Sequence, residues 1–88
     1  MNIIIDPHTI YRAAERGANR DEVLLTLREG IKSIAKGNRK SSAKVFPFND
    51  HRNGKYYEQK KIEVIFVEEN DNMITVTVYV FYGKFDTQ

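Results

Sequence analysis

The sequence predicts an α+β domain in which two N-terminal helices pack on one face of an antiparallel sheet of about four strands. Three observations predict it. Apolar residues recur at helical spacing up to Gly30, the periodicity then changes towards two, and the last third holds two long alternating segments joined by Asn70-Asp71-Asn72. The 88 residues suffice for one small domain, 1–88, with a single two-layer core.

Ile3 to Ile5 form a short apolar run, read as a first strand or as an anchor across the core. Asp6-Pro7 is a helix start, because Asp accepts from free N–H groups and Pro is tolerated at the first helical position. Helix one is expected from about Pro7 to Arg16, with Ile10, Ala13 and Ala14 inward and Gly17 supplying the left-handed stop. Asn19 followed by Glu22 has the spacing of a capping box and opens helix two, whose apolar stripe is Val23, Leu24, Leu27 and Ile31, with Gly30 as the stop. The two helices form a hairpin through Arg-Gly-Ala-Asn.

Beyond Gly30, Ile31 to Ala35 reads as a strand and Lys36 to Ser42 as a turn or loop. Ala43 to Phe48 is a further strand that Pro47 places at an edge or a bulge, and Asn49 to Gly54 is a polar loop. Tyr56 to Glu68 and Met73 to Tyr82 are the clearest strands. A three-residue loop pairs Glu69 with Met73 and sets Phe66 opposite Val76, Val64 opposite Val78 and Ile62 opposite Val80, packing apolar against apolar. A two-residue loop sets Glu63 against Val80 instead, so the longer loop is expected. The second face then carries Lys61 by Phe81, Glu63 by Tyr79 and Ile65 by Thr77, either as an ordinary half-exposed sheet face or as a substrate cleft.

Charge is unevenly distributed. Residues 31–61 hold nine of the 14 basic residues against two acidic ones, a net +7, while residues 1–30 sum to −1 and residues 62–88 to −4. The whole chain is only +2. Phe46, Phe48, His51, Tyr56 and Tyr57 sit among the bases. Cations neutralise phosphates and aromatic rings stack on unpaired bases, so this segment points to a polyanion, RNA above all. The plainer alternative is a solvated, lysine-rich loop and edge strand. With no cysteine, thiolate metal sites are excluded, and with only His8 and His51 as imidazoles neither a structural zinc site nor a cofactor is expected. The N-terminus lacks a basic region ahead of a long apolar run, and no apolar stretch reaches membrane-spanning length, so a cytoplasmic location is expected.

The order of two helices and then an antiparallel sheet resembles the compact ribonuclease toxins of the RelE/ParE superfamily, which share a core with barnase-type nucleases. The segment from Pro7 to Gly17, with His8, Arg12 and the Arg16-Gly17 pair, is similar to the opening helix of a small bacterial family of unknown function. Asp21-Glu22-Val23 resembles the start of that family's second helix. Val64 to Glu69 followed by Ile74 to Tyr79 resembles its final hairpin. Lys55-Tyr56-Tyr57-Glu58 departs from the short glycine-containing turn usual there.

The resemblance implies metal-independent RNA cleavage by a toxin whose partner is an antitoxin protein. In that chemistry a base takes the 2′-OH proton, cations stabilise the charged phosphorane and an acid protonates the leaving oxygen. Residues of the right type are His8, Arg12 and Arg16, a row at i, i+4 and i+8, together with Tyr79 near Glu63. His8 has a second reading as a helix-capping or surface residue. Lys44, Lys55, Tyr56, Lys60 and Lys61 are the candidates for binding RNA, and His51 lies in the polar loop. Two other readings fit the same residues: a non-catalytic module binding RNA or protein, and a poison of a protein target such as gyrase.

Overall fold

The capping residues place both helices as expected. In the computed structural model, which describes residues 1–85, the elements are β1 (Asn2–Ile4), α1 (Pro7–Arg16), α2 (Arg20–Glu29), β2 (Ile31–Ile34), β3 (Lys40–Arg52), β4 (Lys55–Glu69) and β5 (Asn72–Gly83). The Asp6 side chain accepts from the His8 backbone N–H at 2.8 Å. Asn19 and Glu22 form the reciprocal capping box that opens α2. Gly17, at φ 92°, ends α1, with Gly17 N–H donating to the Ala14 carbonyl and Ala18 N–H to that of Ala13. This double bond pattern satisfies two carbonyls that the helix end leaves free. The buried face of α1 is Thr9 and Ala13; Ala14, expected inward, is exposed.

The sheet has five strands in the order β1-β5-β4-β3-β2 and is mixed, which corrects the expectation of about four antiparallel strands. β2 to β5 form an antiparallel meander, and β1 adds in parallel beside β5 through Asn2↔Asn72 to Ile4↔Ile74. A three-residue strand carries too little alternation to reveal its partner, so Ile3 to Ile5 alone did not fix its place. Ala13, Val23 and Leu27 from the helices meet Ile62, Val64, Phe66, Met73 and Val78 from one face of the sheet. No helix is long and apolar enough to cross a membrane among the described residues.

The β4–β5 hairpin differs from expectation at its tip. Asn70 and Asp71, at φ 50° and 67°, make a two-residue turn, and Glu69 pairs with Asn72. Two consecutive left-handed residues match the twist of the flanking strands. Phe66 then faces Thr75, but Ile65 faces Thr77, so Val76 is an extra residue in β5. That bulge restores the expected pairs Val64↔Val78, Glu63↔Tyr79, Ile62↔Val80 and Lys61↔Phe81. It also turns Met73 and Thr75 inward in place of Ile74 and Val76. The buried Thr75 hydroxyl donates to Thr9 Oγ1 at 2.9 Å and accepts from Asp6 N–H at 3.0 Å, so its burial leaves no orphan.

β3 runs further than expected in both directions. The region from Asn49 to Arg52 is strand, and the turn is only Asn53-Gly54, again with both φ positive. Pro47 pairs with Gln59 and Asp50 with Tyr57, so Phe48 and Asn49 bulge opposite Glu58, immediately after the proline. β2 covers only Lys40 to Ala43 of β3, which leaves Pro47 on a free edge where its missing N–H costs nothing.

Candidate nucleic-acid interface

Helix α1 is fixed to the sheet at both ends, and this sets the row His8, Arg12 and Arg16. At its start the Asp6–Thr75–Thr9 bonds pin it to β5. At its end three side chains from three strands take the remaining carbonyls. Arg52 Nη2 donates to Glu15 O at 2.9 Å, the Tyr82 hydroxyl to Arg16 O at 2.6 Å, and Lys60 Nζ to Gly17 O at 2.8 Å. Two of these groups are cations at the negative end of the helix, where positive charge is favoured. The Arg52 guanidinium also lies 5.2 Å from the Tyr82 ring, and Phe48 and Tyr57 pack on that ring at 5.1 and 5.6 Å. Sequence reasoning did not find the roles of Arg52 and Tyr82, because their partners are backbone carbonyls distant in the chain.

The row makes two separate sets of contacts, one at His8 and Arg12 and one from Arg16 to Tyr79. His8 Nε2 accepts from Arg12 Nε at 3.3 Å. Arg12 also pairs with Glu15 at 3.3 Å. One turn on, Arg16 Nη1 donates to the Val78 carbonyl at 2.7 Å, in the stretch of β5 that β1 leaves unpaired. Its guanidinium lies 5.7 Å from the Tyr79 ring. Val78 is buried under the helices, so Tyr79, its neighbour along the strand, belongs to the opposite face of the sheet. Arg16 therefore reaches around the edge of β5 and joins the helix row to the open face. Tyr79 is 43% exposed and stands opposite Glu63.

The candidate RNA-binding side chains separate into three places. Lys61 lies on the open face with its ammonium 5.9 Å from the Phe81 ring and 5.4 Å from that of Phe85. Lys55 and Tyr56 sit by the β3–β4 turn, where Lys55 lies over Tyr57 at 5.5 Å and Tyr56 packs edge-on against His51 at 5.4 Å. Tyr56 also borders a groove of about 380 Å³ beside the β3 bulge, with Val45, Pro47 and Asn49. Lys44 faces the helix layer, 3.4 Å from Glu29 and over the Phe46 ring. Lys60 is 7% exposed, and its ammonium is engaged by Gly17 O and by Glu22 at 2.9 Å. Its charge serves the end of α1 and the start of α2. Among the described residues no three His, Asp or Glu side chains come together as a metal-ligand set.

Burial pushes the Tyr82 phenol above its ordinary value; nearby Arg52 acts against the rise and Glu22 adds to it. A raised value favours the neutral phenol in the folded state. The stability it lends is complete below about pH 10, where the unfolded phenol titrates, and is lost as pH rises through the higher folded value. Thermal midpoints measured from pH 8 to pH 11 are therefore expected to fall less steeply above about pH 10 in Tyr82→Phe than in the parent chain. Equal slopes would remove Tyr82 from the account.

No protein-family model, curated protein or solved structure matches the chain.

Proposed function

We propose that this chain is a toxin-like, metal-independent endoribonuclease of the RelE/ParE kind, acting in the cytoplasm and held in check by an antitoxin protein. The observation that supports the reading most is the pairing of Arg12 with His8 and, one turn on along α1, of Arg16 with the Val78 carbonyl and the Tyr79 ring at the free edge of β5. These are a base and two cations on one stripe of α1, with an acid on the opposite face of the sheet that Arg16 reaches around the strand edge. His8 Nε2 takes the 2′-OH proton once RNA displaces Arg12 from it. The 2′ oxygen bonds to phosphorus, Arg12 and Arg16 hold the phosphorane charge, and the bond from phosphorus to the 5′ oxygen breaks as Tyr79 supplies the proton. Lys61, with Phe81 and Phe85, extends the site over the open face. There a base stacks on a ring while the ammonium meets a phosphate.

The test is incubation of total RNA with the parent chain and with the variant carrying His8→Ala, Arg12→Ala and Tyr79→Ala. New RNA ends are expected with the parent and none with the variant; His8→Ala alone is expected to slow cleavage at least about 100-fold, as loss of a general base does. Unchanged cleavage in the triple variant sinks the mechanism. A non-catalytic RNA-binding module is the second reading, favoured by the cation–aromatic pairs of Lys61 with Phe81 and of Lys55 with Tyr57, which bind without turnover. It predicts affinity that falls steeply with salt and no cleaved product.

A further inference from the structure

Both helices cover one face of the sheet and leave the other uncovered. β4 is the central strand, and its buried Ile62, Val64 and Phe66 put Lys61, Glu63 and Ile65 on the uncovered face. Opposed residues share a face, so Ala43 and Val45 of β3 join them, as do Tyr79 and Phe81 of β5. Tyr79 and Phe81 are exposed aromatic rings, and Lys61 and Glu63 are half-buried between the flanking strands. Among the described residues neither Lys61 nor Glu63 forms an ion pair within the chain. A contiguous apolar patch that stays exposed is the mark of an interaction surface.

The order of these residues selects the occupant. Lys61 stands between Val45 and Phe81, and Glu63 between Ala43 and Tyr79. A two-fold axis parallel to the sheet and crossing β4 at Ile62 sets a second copy face to face with the first and exchanges these two rows. Lys61 then meets the second copy's Glu63, Tyr79 meets its Phe81, and Ala43 meets its Val45. Each charge finds its opposite and each ring a ring, which is the self-complementarity that a two-fold interface requires. A different protein has no need of such exchange symmetry. Sheets stacked in this way lie about 10 Å apart, within joint reach of a lysine and a glutamate. Strands β3 to β5 alongside Gln59 to Val67 cover about 14 by 30 Å, a projected area of roughly 430 Å² on each copy. The accessible surface of the side chains on that area is larger, which brings the total towards the lower limit for a specific interface, about 1,000 Å². The dimer is therefore weak and concentration-dependent.

We propose that this face joins two copies of the chain in a two-fold dimer held by reciprocal Lys61–Glu63 pairs and by Tyr79 against Phe81. The proposal does not rest on the nuclease reading; where both hold, the dimer closes the open face to RNA. The full chain is sedimented to equilibrium at about 10 to 500 μM. Its mean mass is expected to rise with concentration from 10.3 kDa towards twice that value. Lys61→Glu and Glu63→Lys are each expected to weaken association at least about tenfold, because each sets two like-charged pairs across the axis. An equimolar mixture of these two variants is expected to associate at least as tightly as the parent, since every pair across the interface is then opposite in charge. The double exchange Lys61→Glu/Glu63→Lys, which keeps the net charge, is expected to match the parent. A parent that stays monomeric throughout, single variants that associate like the parent, or a mixture or double exchange that stays monomeric overturns the proposal. In the parent the amide signals of Val45, Lys61, Glu63 and Phe81 are expected to shift with concentration. Shifts confined to Ile31–Ile34 overturn the proposal in favour of pairing through the β2 edge. The parent's mass and shifts need no variant, so a variant that misfolds leaves the test intact. RNA cleavage enters none of these readouts, so the two proposals fail separately.

Discussion

Replacing Lys60 with methionine is expected to destabilise the fold by about 3 kcal/mol, although the new side chain keeps most of the buried length of the old one. Lys60 is 7% exposed, donates to Gly17 O and pairs with Glu22. Its removal leaves the Gly17 carbonyl unpaired and Glu22 in a half-buried position without its cation. Breaking a buried pair from one side costs more than the pair contributes, because the remaining charge stays desolvated. The double variant Lys60→Met/Glu22→Gln removes that charge while keeping the side-chain oxygen that the capping box uses. It is expected to recover about half of the loss, a coupling read directly from the thermodynamic cycle. Urea unfolding of the parent, the two single variants and the double variant measures it. A Lys60→Met loss below about 1 kcal/mol would mean that water already solvates the pair as it does on a surface.

Lys60 also shows what a sequence can and cannot reveal here. Alternation places it on the face of Ile62, Val64 and Phe66, so its inward direction was legible. What its ammonium meets was not, because Gly17 and Glu22 are local helix-capping residues with no visible link to β4. The helix limits were legible from Asp6-Pro7, Gly17 and the Asn19/Glu22 spacing, since caps act over three or four residues. The far half of the β4–β5 register was legible too, because only one alignment packs Ile62 and Val64 against Val80 and Val78. Its near half was not. A two-residue turn plus one bulged residue spans the same offset as a three-residue turn, and the hydrophobic pattern cannot separate the two. Val76 decides between them through Thr75, whose burial depends on hydroxyl partners in α1. The row His8, Arg12, Arg16 follows from helical spacing alone, whereas its link to Tyr79 requires the free edge of β5 that the short β1 leaves.

Gly17→Ala is expected to cost about 3 kcal/mol, and Gly54→Ala only about 1 to 2 kcal/mol, although both glycines have positive φ. The backbone penalty for a side chain in the left-handed region is shared by the two sites. What differs is the space around them. A Cβ on Gly54 has nothing within 4 Å, while one on Gly17 falls 2.1 Å from the Tyr82 hydroxyl oxygen and 2.9 Å from Arg52 Nη1. These are the groups that cap Arg16 O and Glu15 O, so the substitution dislodges two caps as well as straining the turn. Adding Tyr82→Phe takes away the nearest clashing oxygen and is expected to restore part of the loss in Gly17→Ala, while lowering the stability of the parent chain. Opposite signs in the two backgrounds would locate the conflict at that oxygen; a uniform loss would assign the effect of Gly17 to backbone strain alone. The same contact bears on function. The end of α1 carries Arg16, whose guanidinium spans from Val78 O to the Tyr79 ring, and displacing that end takes the cation off the row. Under the nuclease reading, Gly17→Ala is therefore expected to lower RNA cleavage even at temperatures where the chain remains folded, whereas Gly54→Ala is expected to leave it unchanged.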